Sequence, residues 1–299
     1  MGRPLPDGDC EAPLGEFVRA INPSGDRAPL VLLNPWPKDR DRFTVLRAHI
    51  PRDQPVFELL PPGRRQAPKL RRVEDWVRLY HDQGLARLPF GPPFHIAGWS
   101  FGGVVAYEMA RRLPDDIGFV GLIDTWYPRG YRPLTRGGLV TNRILAAMSG
   151  GMDTSVRRVI SAEYRYERRQ WAKVTARARS TWGIRVGSAE PRSDQDEVSW
   201  AISRALWGWQ ARPSEAFVTH FPTAETLSWQ GSSPPWDWAR MHRGGFDVVP
   251  LDGGHFTIWT EPGVGQLAAG LTSALERWCL QRPPSADRQV VAMTPRSTR

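Results

Sequence analysis

The sequence predicts an α/β fold, a mostly parallel central sheet flanked by helices, with a helical insertion. Three observations carry that expectation. Apolar runs of buried-strand type alternate with stretches of helical period, a run at 94–97 leads straight into Gly98-Trp99-Ser100-Phe101-Gly102, and residues 128–215 break the alternation with long helical stretches and no strand. At 299 residues, with 40% hydrophobic and 24% charged residues, the composition suits one decorated globular domain.

Taken in order, residues 1–28 form a polar extension rich in Pro and Gly, apart from Phe17-Val18-Arg19-Ala20-Ile21, whose alternation suits an edge strand. Pro29-Leu30-Val31-Leu32-Leu33 is a continuous apolar run, as a strand buried on both faces requires. Phe43, Leu46 and Ile50 follow at helical spacing, then the strand Pro55 to Leu59, then a helix carrying Leu70, Val73, Trp76, Val77 and Tyr80 on one face. The run Phe94 to Ala97 precedes a helix that starts near Phe101 and is stopped by Pro114, and Ile117 to Ile123 is the next strand. Such β-α repetition calls for parallel pairing with helices on both faces.

Within 128–215, the stretches 139–149 and 154–180 read as helices. Strand pattern returns at Phe217–Phe221 and Phe246–Val249, and Val264, Leu267, Ala268, Leu271, Ala274, Leu275 and Trp278 make a closing amphipathic helix. The core is therefore expected at 29–127 and 216–280, with a polar, disordered tail at 281–299.

Composition narrows the function. No signal-like start and no long apolar stretch is present, so the expected location is cytoplasmic, away from membranes. Cys10 and Cys279 are too few for a disulfide framework or a Cys-based zinc site, and the six histidines lack ligand spacing, so no metal is expected. The net charge of +9 gathers between Pro128 and Glu215, where fifteen Arg and one Lys face eight acidic residues. A solvated Arg-rich face and an anionic partner both fit that bias; no nucleic-acid motif accompanies it.

Gly98-Trp99-Ser100-Phe101-Gly102 is a G-x-S-x-G elbow between a strand and a helix, with the flanking glycines that a strained, crowded turn needs. An incidental serine in a Gly-rich turn is the bland alternative. A serine hydroxyl is a poor nucleophile at neutral pH and needs a histidine to take its proton and an acid to orient that histidine. His255, in the loop Leu251-Asp252-Gly253-Gly254-His255-Phe256 before the closing helix, is the natural base; His49, His81, His95, His220 and His242 read as structural or surface residues. Asp124, at the end of the strand Ile117–Ile123, ranks first as the acid, with Asp252, Asp237 and Glu225 as competitors. The oxyanion is expected to meet the backbone N–H of Phe101 and one N–H from Asn34-Pro35-Trp36-Pro37, where proline leaves Trp36 as the best donor.

These residues resemble a known family, the thioesterase domains of nonribosomal peptide and polyketide synthases, which have the α/β-hydrolase fold. The likeness spans roughly residues 17–280 and is most specific from Gly91 to Ala110 around the elbow. Leu122-Ile123-Asp124-Thr125 is similar to the family's strand bearing the triad aspartate, and His255-Phe256-Thr257 to its histidine loop; Gln54-Pro55-Val56-Phe57 and Pro61-Pro62-Gly63 also match. Two positions depart: Pro35-Trp36-Pro37 stands where the family usually has a Gly-Gly pair, and Gly254 where it has an acidic residue. The resemblance implies an acyl chain passed from the phosphopantetheine of a carrier protein to Ser100, then released to water, an internal nucleophile or an amine, with no cofactor retained by the enzyme itself and with 128–215 as the lid. Five tryptophans fall in that segment, Trp171, Trp182, Trp200, Trp207 and Trp209, and either core or substrate wall would use them. An acidic acyl or peptidyl carrier protein would complement its basic charge. A carboxylesterase acting on small free esters and a non-catalytic binding protein of the same fold are the alternatives.

Overall fold

The computed structural model describes residues 13–39, 41–127, 194–206, 209–229 and 236–281. Eight strands form one sheet: β1 (Pro13–Gly15), β2 (Val18–Asn22), β3 (Leu30–Leu33), β4 (Val56–Leu59), β5 (Phe94–Trp99), β6 (Ile117–Ile123), β7 (Phe217–Phe221) and β8 (Phe246–Val248). Their spatial order is β1-β2-β4-β3-β5-β6-β7-β8; β1 and β2 pair antiparallel, and every pairing from β4 to β8 is parallel. The continuous apolar runs are thereby explained, since all residues of β3, β4, β5 and β6 are buried between two covering layers.

One layer comprises α1 (Val73–Gln83), α2 (Phe101–Arg112) and α3 (Asp194–Leu206), whose buried faces include Trp76, Tyr80, Tyr107, Val198 and Ile202. The short helices α4 (Ala224–Trp229) and α5 (Trp236–Ala239) follow β7. The other layer is made by the 3-10 helices Arg42–Ala48 and Thr257–Trp259 and by α6 (Gly263–Gln281), which buries Val264, Leu267, Ala268, Leu271 and Leu275 on one stripe. Each large apolar side chain so buried stabilises the fold by roughly 1.5–3 kcal/mol relative to exposure.

The register aligns the functional loops. Leu33 lies opposite Leu59 on one side and Gly98 on the other, while Ile123 lies opposite Trp99 and Phe221. Asn34, Leu60, Ser100, Asp124 and Pro222 therefore leave the sheet side by side at one edge, where ligands of open α/β sheets bind.

Several expected elements differ in detail. The expected edge strand is second in the sheet because β1 covers it, and β5 runs on to Trp99. Leu70 ends a separate 3-10 helix, Ala67–Lys69, because α1 starts only where the Asp75 carboxylate accepts the N–H groups of Arg71 and Arg72. Phe43 and Leu46 lie on a 3-10 rather than an α-helix. Most of the expected insertion, 128–193, and the tail after Gln281 lie outside the described residues; α3 packs against 3-10 helix Ala67–Lys69 and the loop after β3.

Candidate active site

Ser100 joins β5 to α2 with φ 56° and ψ −123°, a left-handed conformation strained for any side chain but glycine. Its N–H donates to the Ile123 carbonyl at 2.9 Å, tying the elbow to the end of β6. A Cβ at Gly98 would lie 2.1 Å from the Gly102 carbonyl oxygen, and one at Gly102 2.4 Å from that of Leu33. Gly103 is equally constrained, since its added Cβ would be 1.9 Å from Thr125 Oγ1. Phe101 opens α2, so its N–H has no acceptor within the helix.

Asp124 follows β6 directly, at φ 41° and fully buried. Its Oδ2 is 2.6 Å from His255 Nδ1, while Oδ1 accepts the Thr223 N–H at 2.9 Å. Burial alone would raise the Asp124 carboxyl, but hydrogen bonding and charge from His255, with bonds from Thr223 and Thr226, outweigh it and hold the group below the usual range. The Thr226 hydroxyl also accepts Trp126 Nε1–H at 3.1 Å.

The His255 imidazole is enclosed by rings: Trp99 is stacked on it at 4.9 Å between centroids, Phe256 meets it edge-on at 4.9 Å and Trp126 lies at 5.6 Å. The Arg42 guanidinium lies over the other partner, 4.8 Å from the Trp99 centroid. Three of the expected groups, Ser100, Asp124 and His255, are thus brought to one sheet edge, the last two in direct contact.

The competing acids have other positions. Glu225 Oε2 accepts the backbone N–H of His255 at 3.0 Å. Asp252 is exposed, accepts Gln266 Nε2–H at 2.7 Å and donates its own N–H to Gln266 Oε1. Asp237 lies on α5, and its side chain is outside the described residues. The Trp36 N–H, expected at the oxyanion, is donated to Asn34 Oδ1 at 3.0 Å, because the asparagine side chain turns back onto the backbone two residues on. Pro35 and Pro37 offer no N–H, and that of Asn34 goes to the Leu59 carbonyl, so each backbone N–H from 34 to 37 is engaged.

Trp99 was legible in the sequence only as part of the elbow, and Thr223, Thr226 and Trp126 carried no local signal of their place beside the pair. The signal for Trp99 was its place one residue before Ser100; the others lie in the loops after β6 and β7 and at the start of α4, whose pairing is non-local. Among the other histidines, His95 accepts the Phe119 N–H at 3.2 Å and His220 is buried on β7. Among the described residues, no group of three or more His, Cys, Asp or Glu could hold a metal ion, and no helix is long and apolar enough to cross a membrane.

A mostly parallel sheet with a left-handed serine between strand and helix, at the same edge as an Asp–His pair, defines the α/β-hydrolase class. The chain belongs to the thioesterase domain family, whose model matches residues 39–274, and it is a thioesterase. Among curated relatives, it is 36% identical over 106 residues to N-(5-amino-5-carboxypentanoyl)-L-cysteinyl-D-valine synthase of Penicillium rubens, covering 26% of this chain and 3% of the synthase. It is 35% identical over 123 residues to malpinin synthetase of Mortierella alpina, covering 40% of this chain and 2% of that protein. The chain thus spans only a few per cent of the length of these synthetases. Similar solved structures include the NocB thioesterase domain from the nocardicin cluster (TM-score 0.54, 18% identity, 87% of this chain and 99% of that one). The type II thioesterase BorB from the borrelidin biosynthetic cluster is similar too (TM-score 0.54, 15% identity, 87% and 96%).

Proposed function

We propose that this protein is a serine thioesterase that releases an acyl, peptidyl or polyketide chain from a carrier protein's phosphopantetheine through an acyl-Ser100 intermediate, in secondary-metabolite biosynthesis. The observation that carries the reading is the 2.6 Å contact between Asp124 and His255 beside the left-handed Ser100, in a chain of the thioesterase family. In this reading His255 Nε2 takes the Ser100 proton as Oγ attacks the thioester carbonyl. Asp124 holds the Nδ1–H tautomer and stabilises the imidazolium. The Phe101 N–H faces the developing oxyanion; the Trp36 N–H contributes only by leaving Asn34. The proton then passes from His255 to the departing thiolate, and water or a nucleophile within the chain releases the acyl group by the same route in reverse, giving hydrolysis or cyclisation. The insertion between β6 and β7 is assigned as the lid.

The test has two parts. A fluorophosphonate should label Ser100 once, and Ser100→Ala should lose both label and turnover, by roughly a thousandfold or more. The same acyl group is then offered on carrier protein, on N-acetylcysteamine and as an alcohol ester. Preference for the carrier thioester supports release from an assembly line, and preference for the ester would overturn it in favour of a carboxylesterase.

A further inference from the structure

We infer that Glu225 is a positioning residue for the base: its carboxylate holds the His255 backbone from the turn after β7, in space that Gly254 leaves open. The inference rests on His255 acting as the base.

The segment 222–226, which leads from β7 into the first turn of α4, touches both members of the Asp–His pair. Toward Asp124 it presents the Thr223 N–H at 2.9 Å and the Thr226 hydroxyl. Toward the histidine loop it forms a ladder: Leu251 N–H to the Pro222 carbonyl, Ala224 N–H to that of Leu251 and Glu225 N–H to that of Gly253, at 2.8, 2.8 and 3.0 Å. The last rung is the only one made by a side chain, His255 N–H to Glu225 Oε2 at 3.0 Å. It lies where the loop needs a restraint, since Gly253 is left-handed at φ 82° and two successive glycines precede the histidine. A charged acceptor makes this bond stronger than a neutral one.

Gly254 fits that role. A Cβ there would lie 2.0 Å from Glu225 Oε2 and 2.9 Å from its Cδ, and the nearest other atom is Glu225 Cβ at 3.4 Å, an ordinary contact. Everything that forbids a side chain at Gly254 is therefore the Glu225 carboxylate. The two positions form one unit: an acidic residue after β7 occupies the room next to the histidine, so the residue before the histidine has none.

A double-mutant cycle tests this, with kcat and KM on an acyl-N-acetylcysteamine thioester, the rate of fluorophosphonate labelling and the melting temperature of each variant. Glu225→Gln keeps an acceptor and should stay within about threefold of the parent. Glu225→Ala and Gly254→Ala should each lower kcat and the labelling rate on the order of tenfold with KM unchanged, since small misplacements of a base are costly. The double variant Glu225→Ala with Gly254→Ala should be no worse than Glu225→Ala, because the alanine then fits. Glu225→Ala within twofold of the parent, independent losses that multiply in the double variant, or losses without rescue by Gln that follow melting temperature would each overturn the inference. His255→Ala separates the two readings: if it retains full turnover, the proposed base itself is wrong; if it is inactive while the cycle shows no coupling, only the Glu225 assignment fails.

Discussion

The imidazole of His255 lies on the indole of Trp99 with their planes inclined by 27°, so the side chain preceding the proposed nucleophile packs against the proposed base. Trp99 is itself fixed by Trp259 edge-on at 5.5 Å and by the Arg42 guanidinium. Aromatic contacts of this kind contribute about 0.5–1.5 kcal/mol beyond burial. Trp99→Phe should therefore fold, and should lower kcat and the fluorophosphonate labelling rate by about two- to tenfold. Stopped-flow labelling of both proteins checks it; an unchanged rate would show that the stack does not orient the imidazole.

Asp124→Asn should keep the fold while kcat falls by roughly a thousandfold or more, because the amide favours the wrong tautomer of His255. Asp252→Asn, whose parent carboxylate is directed to Gln266, should change kcat little. Circular dichroism and steady-state kinetics on both variants make the comparison, and the reverse ranking would move the orienting acid into the histidine loop.

Gly103→Ala should be destabilising. The new methyl would meet Thr125 Oγ1 at 1.9 Å and the Gly98 carbonyl oxygen at 2.9 Å, and overpacking of this type costs about 1–3 kcal/mol or more. The measurement is the urea midpoint, with an unchanged m-value expected.

Stability should fall as the solution is acidified through the histidine range. Burial pushes His95 down to about 4, His220 to about 4 despite the opposing pull of Asp124, and His242 to about 3, the last with a contribution from His220. The unfolded imidazoles take up protons near pH 6.5, whereas the folded ones resist until pH 4 or below. Over that interval the unfolded chain binds more protons, so the contribution is complete above pH 6.5 and lost toward pH 4. Urea midpoints at pH 7.5, 6 and 5 should decline, and His220→Phe should flatten the decline.

The elbow was legible because its requirements are local: Gly98, Gly102 and Gly103 each sit where a side chain would strike a nearby segment, and their spacing around Ser100 is visible in a dozen residues. Asp124 was legible from its place at a strand end. Glu225 was visible as a carboxylate, but its target, the N–H thirty residues later, depends on the turn 222–226 pairing with the loop at 251–255, which no periodicity encodes. The partner of the Trp36 N–H was hidden for a similar reason. Proline eliminated its neighbours correctly, yet the asparagine two residues earlier had already taken its N–H. Helix starts were misplaced where a cap decided them, as Asp75 does for α1.

The anchors of Asp124 lie beyond the insertion in sequence: Thr223 and Thr226 bind its carboxylate, while Trp238 Nε1–H holds the Thr125 carbonyl at 2.9 Å and Tyr107 OH the Met241 carbonyl at 3.1 Å. The chain is thus sutured shut on both sides of the point where 128–193 is spliced in. A change of length between Tyr127 and Asp194 should therefore leave the contact between Asp124 and His255 in place. The two ends that flank residues 128–193 are thus held to each other by the same contacts that hold the Asp–His pair.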